Sequence, residues 1–191
     1  ILNTNNLKEN LAKFAERHVL LNNEIQKLME SENNVNFDNF PFNELATSLN
    51  EVAFKQALAD AGVVRYSELG DLILSQSQNG IDFQEDNKDF AILKPETKQA
   101  LITDAVNVAV SDNPVEWTPE DPGDNIQRRT CYQQYIVDRN RCNRNNNLNG
   151  ALAIAAFAGG PVAGGIACLG MMAVSHYCLT DAYEDYLDCM N

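Results

Sequence analysis

All five cysteines lie in the last third of the chain, residues 126–191. Thiols can pair as disulfides, hold a metal or act as nucleophiles. Cys131 and Cys142 are eleven residues apart, and so are Cys178 and Cys189. On a helix, eleven residues make three turns plus about 20°, so the two members of each pair face the same way about 16 Å apart. That distance excludes one four-cysteine metal site while both segments are helical, because zinc ligands within a pair sit two to four residues apart. Disulfides fit better. Pairing Cys131 with Cys189 and Cys142 with Cys178 gives both pairs the same sum of residue numbers, which is the register of two antiparallel helices. Half of that sum falls on Gly160, inside Gly159-Gly160-Pro161. Four cysteines allow three pairings, and the shared register selects this one. Cys168 is the odd cysteine. It is read as a buried free thiol, with an intermolecular disulfide as the alternative.

The remaining reactive residues offer little for catalysis. There are two histidines, His18 and His176, and neither sits in a His-Glu-x-x-His motif. No nucleophile elbow, phosphate-binding loop or dinucleotide fingerprint occurs. Cys168 and His176 are eight residues apart, about 12 Å along one helix, too far for a thiol–imidazole pair. Asp181, Glu184, Asp185 and Asp188 crowd one arm of the expected hairpin. Arg128, Arg129, Arg139, Arg141 and Arg144 crowd the other. Charge pairing between the arms is the reading for these groups, with Arg139 opposite Asp181. Tyr132 and Tyr135 fall within a turn of Tyr186 and Tyr183. The acids at Asp82, Glu85, Asp86 and Asp89 do not have the spacing of a calcium loop. The expectation is a non-enzymatic protein with no catalytic, cofactor-binding or metal-ligating residue and no cofactor.

The elements that carry these residues read as all-α: a helical bundle over 1–110, a proline-rich acidic linker over 111–125, and a disulfide-stapled antiparallel helical hairpin over 126–191. Leu7, Leu11, Phe14, His18, Leu21, Ile25 and Leu28 form a heptad seam, which predicts a helix over 4–31 capped by Thr4 or Asn5. His18 in that seam is expected to be a core-edge histidine bonded to a neighbour. Phe37, Phe40 and Phe42 are expected to plug one end of the bundle from a loop. A helix over 43–61 carries Leu45, Leu49, Val52, Ala53 and Ala59 on one side and Phe54 and Leu58 on the other, stopping at Gly62. Ser67 is expected to cap a short helix ending near Ser77, with Leu69, Leu72 and Ile73 inward. Residues 78–89 read as polar loop with a turn at Asn79-Gly80. Pro95 opens a helix over 95–110. The linker holds Pro114, Pro119, Pro122 and the lone Trp117, read as an anchor onto the bundle. The Asn-rich stretch 143–150 is poor for helix and is expected to break the first arm as a loop.

Between the cysteine pairs, residues 151–174 contain no charge. By length the segment could span a bilayer, but folding at Gly160 leaves two halves of about 18 Å, each too short. Small residues recur every fourth position at Ala151, Ala155, Gly159, Ala163 and Ala167, which lets two helices approach closely. Three readings follow: a core filling for the bundle, a membrane-active hairpin, or a docking surface for a protein partner or for copies of the chain itself. The membrane contact is the less favoured. The net charge of −13 argues against nucleic acid as a partner. Two disulfides require an oxidising compartment, so the chain is expected to be extracellular, at the cell surface or periplasmic. It reads as a mature chain whose leader has been removed.

The run Cys-Tyr-Gln-Gln-Tyr-Ile-Val-Asp-Arg-Asn-Arg-Cys at 131–142, the Gly/Ala-rich segment after it, and His-Tyr-Cys-Leu-Thr-Asp-Ala-Tyr-Glu-Asp-Tyr-Leu-Asp-Cys at 176–189 are similar to uncharacterised secreted bacterial helical proteins with a twin-cysteine helical hairpin. The pattern also resembles the twin Cys-x9-Cys hairpins of the coiled-coil-helix family, here with ten intervening residues and a longer connection. The apolar tip resembles in outline the hydrophobic hairpins of pore-forming bacteriocins. The first resemblance covers the last third alone and implies export, with no activity attached.

Overall fold

A computed structural model describes residues 4–32, 35–48, 50–115, 126–156 and 161–190. Among these the chain is all-α. The helices are α1 (Thr4–Glu30), α2 (Phe42–Ser48), α3 (Glu51–Asp60), α4 (Tyr66–Asp86), α5 (Pro95–Asp112), α6 (Ile126–Ala156) and α7 (Pro161–Met190), with a 3₁₀ turn at Lys88–Ile92. Helices α6 and α7 pair over their length, and α4 packs on both α1 and α7. The core is continuous across these elements: Phe14, Val19, Phe54, Leu58, Leu69 and Ile73 share one buried cluster with Ala151, Ile154, Ile166 and Leu169. The half of the hairpin nearest its fold point is thus embedded in the bundle. Of the fold-point residues, Gly159 and Gly160 lie outside the described residues, while Pro161 is the first residue of α7. Trp117, Pro119 and Pro122 of the linker also lie outside them, as does Leu49.

The heptad seam of α1 is buried at Leu7, Leu11, Phe14, His18, Ile25 and Leu28. Burial extends to Ala15, Val19, Asn22, Gln26 and Met29. Two adjacent seams make α1 a bundle helix with a wide inward face rather than one strand of a coiled coil. The expected aromatic plug is present: Phe37 and Phe40 are buried, and Phe40 meets Phe54 edge-on at 6.5 Å between ring centres.

Five features differ from the sequence reading, each for a local reason. The helix expected over 43–61 is two helices. Asn50 stands between them in extended conformation, and its side chain accepts the N–H groups of Val52 and Ala53. That cap sets the face of α3, so Phe54, Ala57 and Leu58 turn inward while Val52 is exposed. Gly62 does end this segment, at φ 91°, a conformation that favours glycine. Ser67 is not the cap of the next helix. The Glu32 carboxylate, arriving from beyond α1, accepts from the N–H groups of Val64 and Arg65 at 2.8 Å each. A negative group at that helix start also suits the peptide dipoles.

Two more differences concern polar stretches that stay helical because they are buried and bonded. The turn expected at Asn79-Gly80 is the middle of α4. Asn79 is buried and donates to the Phe14 carbonyl at 3.0 Å. Gly80 is there for contact, since a Cβ on it would lie 1.9 Å from Cγ2 of Ile154 on α6. Likewise the loop expected over 143–150 is continuous helix within α6. Asn146 donates to Asn22 on α1 at 2.8 Å, and Asn147 donates back to the Asn143 carbonyl at 3.0 Å. Propensity, worth a few tenths of a kcal/mol per residue, yields to these buried bonds. Finally, α5 runs to Asp112, so the segment read as linker starts inside the helix.

The Gly80 contact gives a direct test of the α4–α6 packing. Gly80→Ala is expected to lower the melting temperature by roughly 3–6 °C. The clash costs about 2–3 kcal/mol, and the gain in helix propensity offsets about 1. Adding Ile154→Leu, which moves the methyl away from Cβ, should recover much of that loss. Thermal unfolding followed by circular dichroism reads both.

Candidate functional site

The structure joins Cys131 to Cys189 and Cys142 to Cys178, with Cα–Cα separations of 5.8 and 5.9 Å. These are ordinary disulfide distances. The pairing is the one with the constant register. The tyrosines lie between the two rungs: Tyr135 stacks on Tyr186 with ring centres 5.0 Å apart, and Tyr132 meets Tyr186 edge-on at 6.4 Å. Tyr135 also approaches Tyr183 at 6.0 Å. Two disulfides are the usage of an oxidising environment.

The rungs divide the hairpin into two structurally distinct halves. Among the described residues, only Ala182 is buried on α7 beyond Cys178, and only Cys131 on α6 before Cys142. Neither stretch contributes a buried residue to the shared core. The terminal half is therefore a two-helix arm held by cystines and tyrosines, where the other half is held by the bundle. Val137, Tyr183 and Leu187 are exposed on it. Its charges are segregated, with Arg128, Arg129 and Arg141 exposed on α6 and Asp181, Glu184, Asp185 and Asp188 exposed on α7. The guanidinium of Arg139, expected to face Asp181, reaches off the arm: it binds the Glu30 carboxylate at the end of α1 and donates to the Tyr135 hydroxyl at 2.9 Å. Asp138 pairs with Arg141 at 3.6 Å.

The apolar segment 151–174 is largely covered by its own bundle. Ala151, Ile154, Val162, Ala163, Ile166, Leu169 and Met172 are buried. Gly164 lies so close to α4 that a Cβ would sit 2.1 Å from Ser77 Oγ, and at Gly165 it would sit 3.3 Å from Ile73 Cγ2. The glycines serve this close approach. Helix α7 is long and apolar enough to cross a membrane by composition, yet its apolar half is the part packed against α4.

The two groups with nucleophile or base chemistry are both deep. Cys168 is free and buried. Burial in apolar surroundings pushes its thiol up to about 12, leaving almost no thiolate near neutrality. His18 is fully buried, deeper than the core edge expected for it. Its Nε2 donates to the Asn147 carbonyl at 2.9 Å, and its Nδ1 accepts from Gln76 Nε2 at 3.1 Å. That pattern fits the neutral ring. Desolvation lowers its pKa to about 4, against the Asn147 bond that favours the charged form. Gly150 leaves it room, since a Cβ there would lie 3.1 Å from His18 Cε1. His18 is a structural knot joining α1, α4 and α6. Among the described residues no group of three His, Cys, Asp or Glu is placed to hold a metal ion.

Sequence reasoning missed one feature. A cavity of about 360 Å3 opens between α1, α6 and α7 at the base of the arm. Ile25, Met29, Met172 and Leu179 form its apolar wall, and Gln26 and Ser175 supply polar groups. Gln26 directly follows the seam position Ile25. The signal was the second buried seam on α1, to which Gln26 belongs.

No protein-family model, curated protein or solved structure matches this chain.

Proposed function

We propose that the chain is an exported, non-enzymatic interaction protein of the cell surface or secretome that presents its stapled arm to a protein partner. A second copy of the chain is the partner its charge pattern fits. The observation that carries this reading is the arm itself: two helices that add nothing buried to the core, yet are fixed by two disulfides. Crosslinks at such a place hold a surface in shape, and a preordered surface loses less entropy on binding. Exposed arginines on α6 and exposed acids on α7 are self-complementary. A twofold axis would set the basic face of one arm against the acidic face of the other. The deep burial of His18 and Cys168 supports a binding role over catalysis.

Light scattering on size-fractionated protein tests this. The oxidised chain is expected to form dimers at tens of micromolar, weakened by salt because the contacts are charged. The triple variant Asp181→Lys, Glu184→Lys, Asp185→Lys should be monomeric with an unchanged melting temperature. A dimer that survives both high salt and the triple variant overturns the charge-paired arm. The rival reading, a membrane-active hairpin, requires the apolar half to leave α4. Vesicles of mixed neutral and anionic lipid are expected to stay sealed at neutral pH, and strong leakage would favour the rival.

A further inference from the structure

A second, larger cavity of about 730 Å3 lies where the end of α4, the 3₁₀ turn, the first half of α5 and the end of α6 meet. Phe90, Ala91, Ile102, Leu152 and Ala155 give it an apolar wall. Its volume falls within the range of about 300–1,000 Å3 usual for small-molecule sites. The wall is fixed by the fold. Phe90 and Ile102 belong to the shared core. Gln84 ties α4 to the end of α6 by donating to the Ile154 and Ala155 carbonyls at 3.2 and 3.1 Å. The space is therefore preformed.

Its charge defines the ligand. The chain carries 27 acidic against 14 basic side chains, yet among the described residues no carboxylate lines this cavity, and the ionic groups that do are Lys88 and Lys98. The Lys98 ammonium donates to the Ala91 carbonyl at 2.6 Å and lies 5.8 Å from the centre of the Phe90 ring. Those two contacts hold the charge against the apolar wall, in an exposed bond that a ligand can reach. An ammonium has three N–H donors, and the Ala91 carbonyl takes one. Among the described residues neither lysine forms an ion pair. A cation with donors to spare beside an apolar wall suits an anionic head on a hydrocarbon body. Lysine meets that head as a point charge, without the planar fork that arginine offers phosphate, so a carboxylate suffices. The net charge of −13 repels small free anions, so most of the affinity must come from burying the hydrocarbon.

We propose that this cavity binds a medium-chain fatty acid, with its carboxylate on Lys98, Lys88 adding positive charge beside it, and its chain along Phe90, Ile102 and Leu152. No residue of the stapled arm takes part, so the inference stands or falls separately from the partner reading above.

The test follows binding of hexanoate, octanoate and decanoate to the oxidised full chain by calorimetry and by NMR of the methyl groups. 1-Decanol and decyltrimethylammonium carry an uncharged and a cationic head on the decanoate chain length. Decanoate is expected to bind with Kd of about 100 μM or tighter. Each shorter acid should bind about tenfold more weakly than the next, since two methylenes leave the wall at each step. 1-Decanol and the cation should bind at least about tenfold more weakly than decanoate. The methyl resonances of Ile102 and Leu152 should move on binding, while that of Met172, in the cavity at the base of the arm, should stay. Lys98→Met should lose about tenfold in decanoate affinity with 1-decanol binding unchanged, and Lys98→Arg should retain most of the affinity. No decanoate binding, affinity indifferent to chain length, equal binding of 1-decanol, shifts at Met172 in place of Ile102 and Leu152, or full affinity in a folded Lys98→Met protein would each overturn the proposal. The head-group comparison and the methyl shifts are read on the native chain, so they decide the matter even if the variants fail to fold.

Discussion

Replacing Cys131, Cys142, Cys178 and Cys189 by serine is expected to remove roughly 7 kcal/mol of stability, enough to unfold a domain of ordinary stability, about 5–15 kcal/mol. The inner rung closes 36 residues of sequence, for which chain entropy gives about 4 kcal/mol. The outer rung spans 58 residues. With the inner rung in place it closes only the two arms beyond it, about 3 kcal/mol. The single-rung variants should separate in kind as well as size. Without Cys142–Cys178 the whole chain melts earlier, because that rung sits where the arm meets the bundle. Without Cys131–Cys189 the arm opens locally, since little of it is buried in the core, and the bundle's melting temperature falls less. Denaturant titration gives the global loss. Hydrogen exchange, resolved by segment, should show protection lost in 126–138 and 181–190 alone for the outer-rung variant. Uniform loss of protection along the chain would contradict the division into a supported half and a stapled arm.

Acid is expected to weaken the fold through His18. The folded-state pKa is about 4, and an unfolded histidine titrates near 6.5. The folded state therefore holds a neutral ring where the unfolded chain takes up a proton. By linkage, the stability this histidine contributes is full above about pH 6.5, falls as pH drops, and is spent near pH 4. The total is about 3 kcal/mol. Among the described residues no carboxylate bonds the ring, which meets the Asn147 carbonyl, the Gln76 amide and the Phe14 ring. Carboxylates also titrate in this range, so the informative quantity is a difference. His18→Gln is expected to be less stable than the native chain at pH 7, and the gap should close by about 2 kcal/mol at pH 4.5. Parallel loss of stability in both proteins across that range would show that His18 does not carry the effect.

The hairpin was readable because its signal is arithmetic: the cysteine spacing fixes one register, and the tyrosines of the two arms meet in it. The helix over Thr4–Glu30 was readable because apolar periodicity is a local signal. What escaped was set by contact between distant segments. Asn79, Gly80 and the asparagines of 143–150 have turn chemistry in isolation. In the fold they are the close-packing and hydrogen-bonding residues of a polar seam joining α1, α4 and α6. Asn50 was missed for the opposite reason: it is a local cap, hidden inside a stretch of continuous helical periodicity. The cavity was illegible because Gln26 reads as surface on a heptad wheel. Only the placement of α6 and α7 buries it.

The most direct test of the interaction reading is hydrogen exchange of the oxidised chain at two concentrations, one well below and one well above the onset of association. The account predicts added protection on association in 126–138 and 181–190, with the bundle unchanged and with the addition abolished by 0.5 M salt. Protection that appears instead on the bundle helices, or a chain that stays monomeric with no concentration-dependent protection, would contradict it.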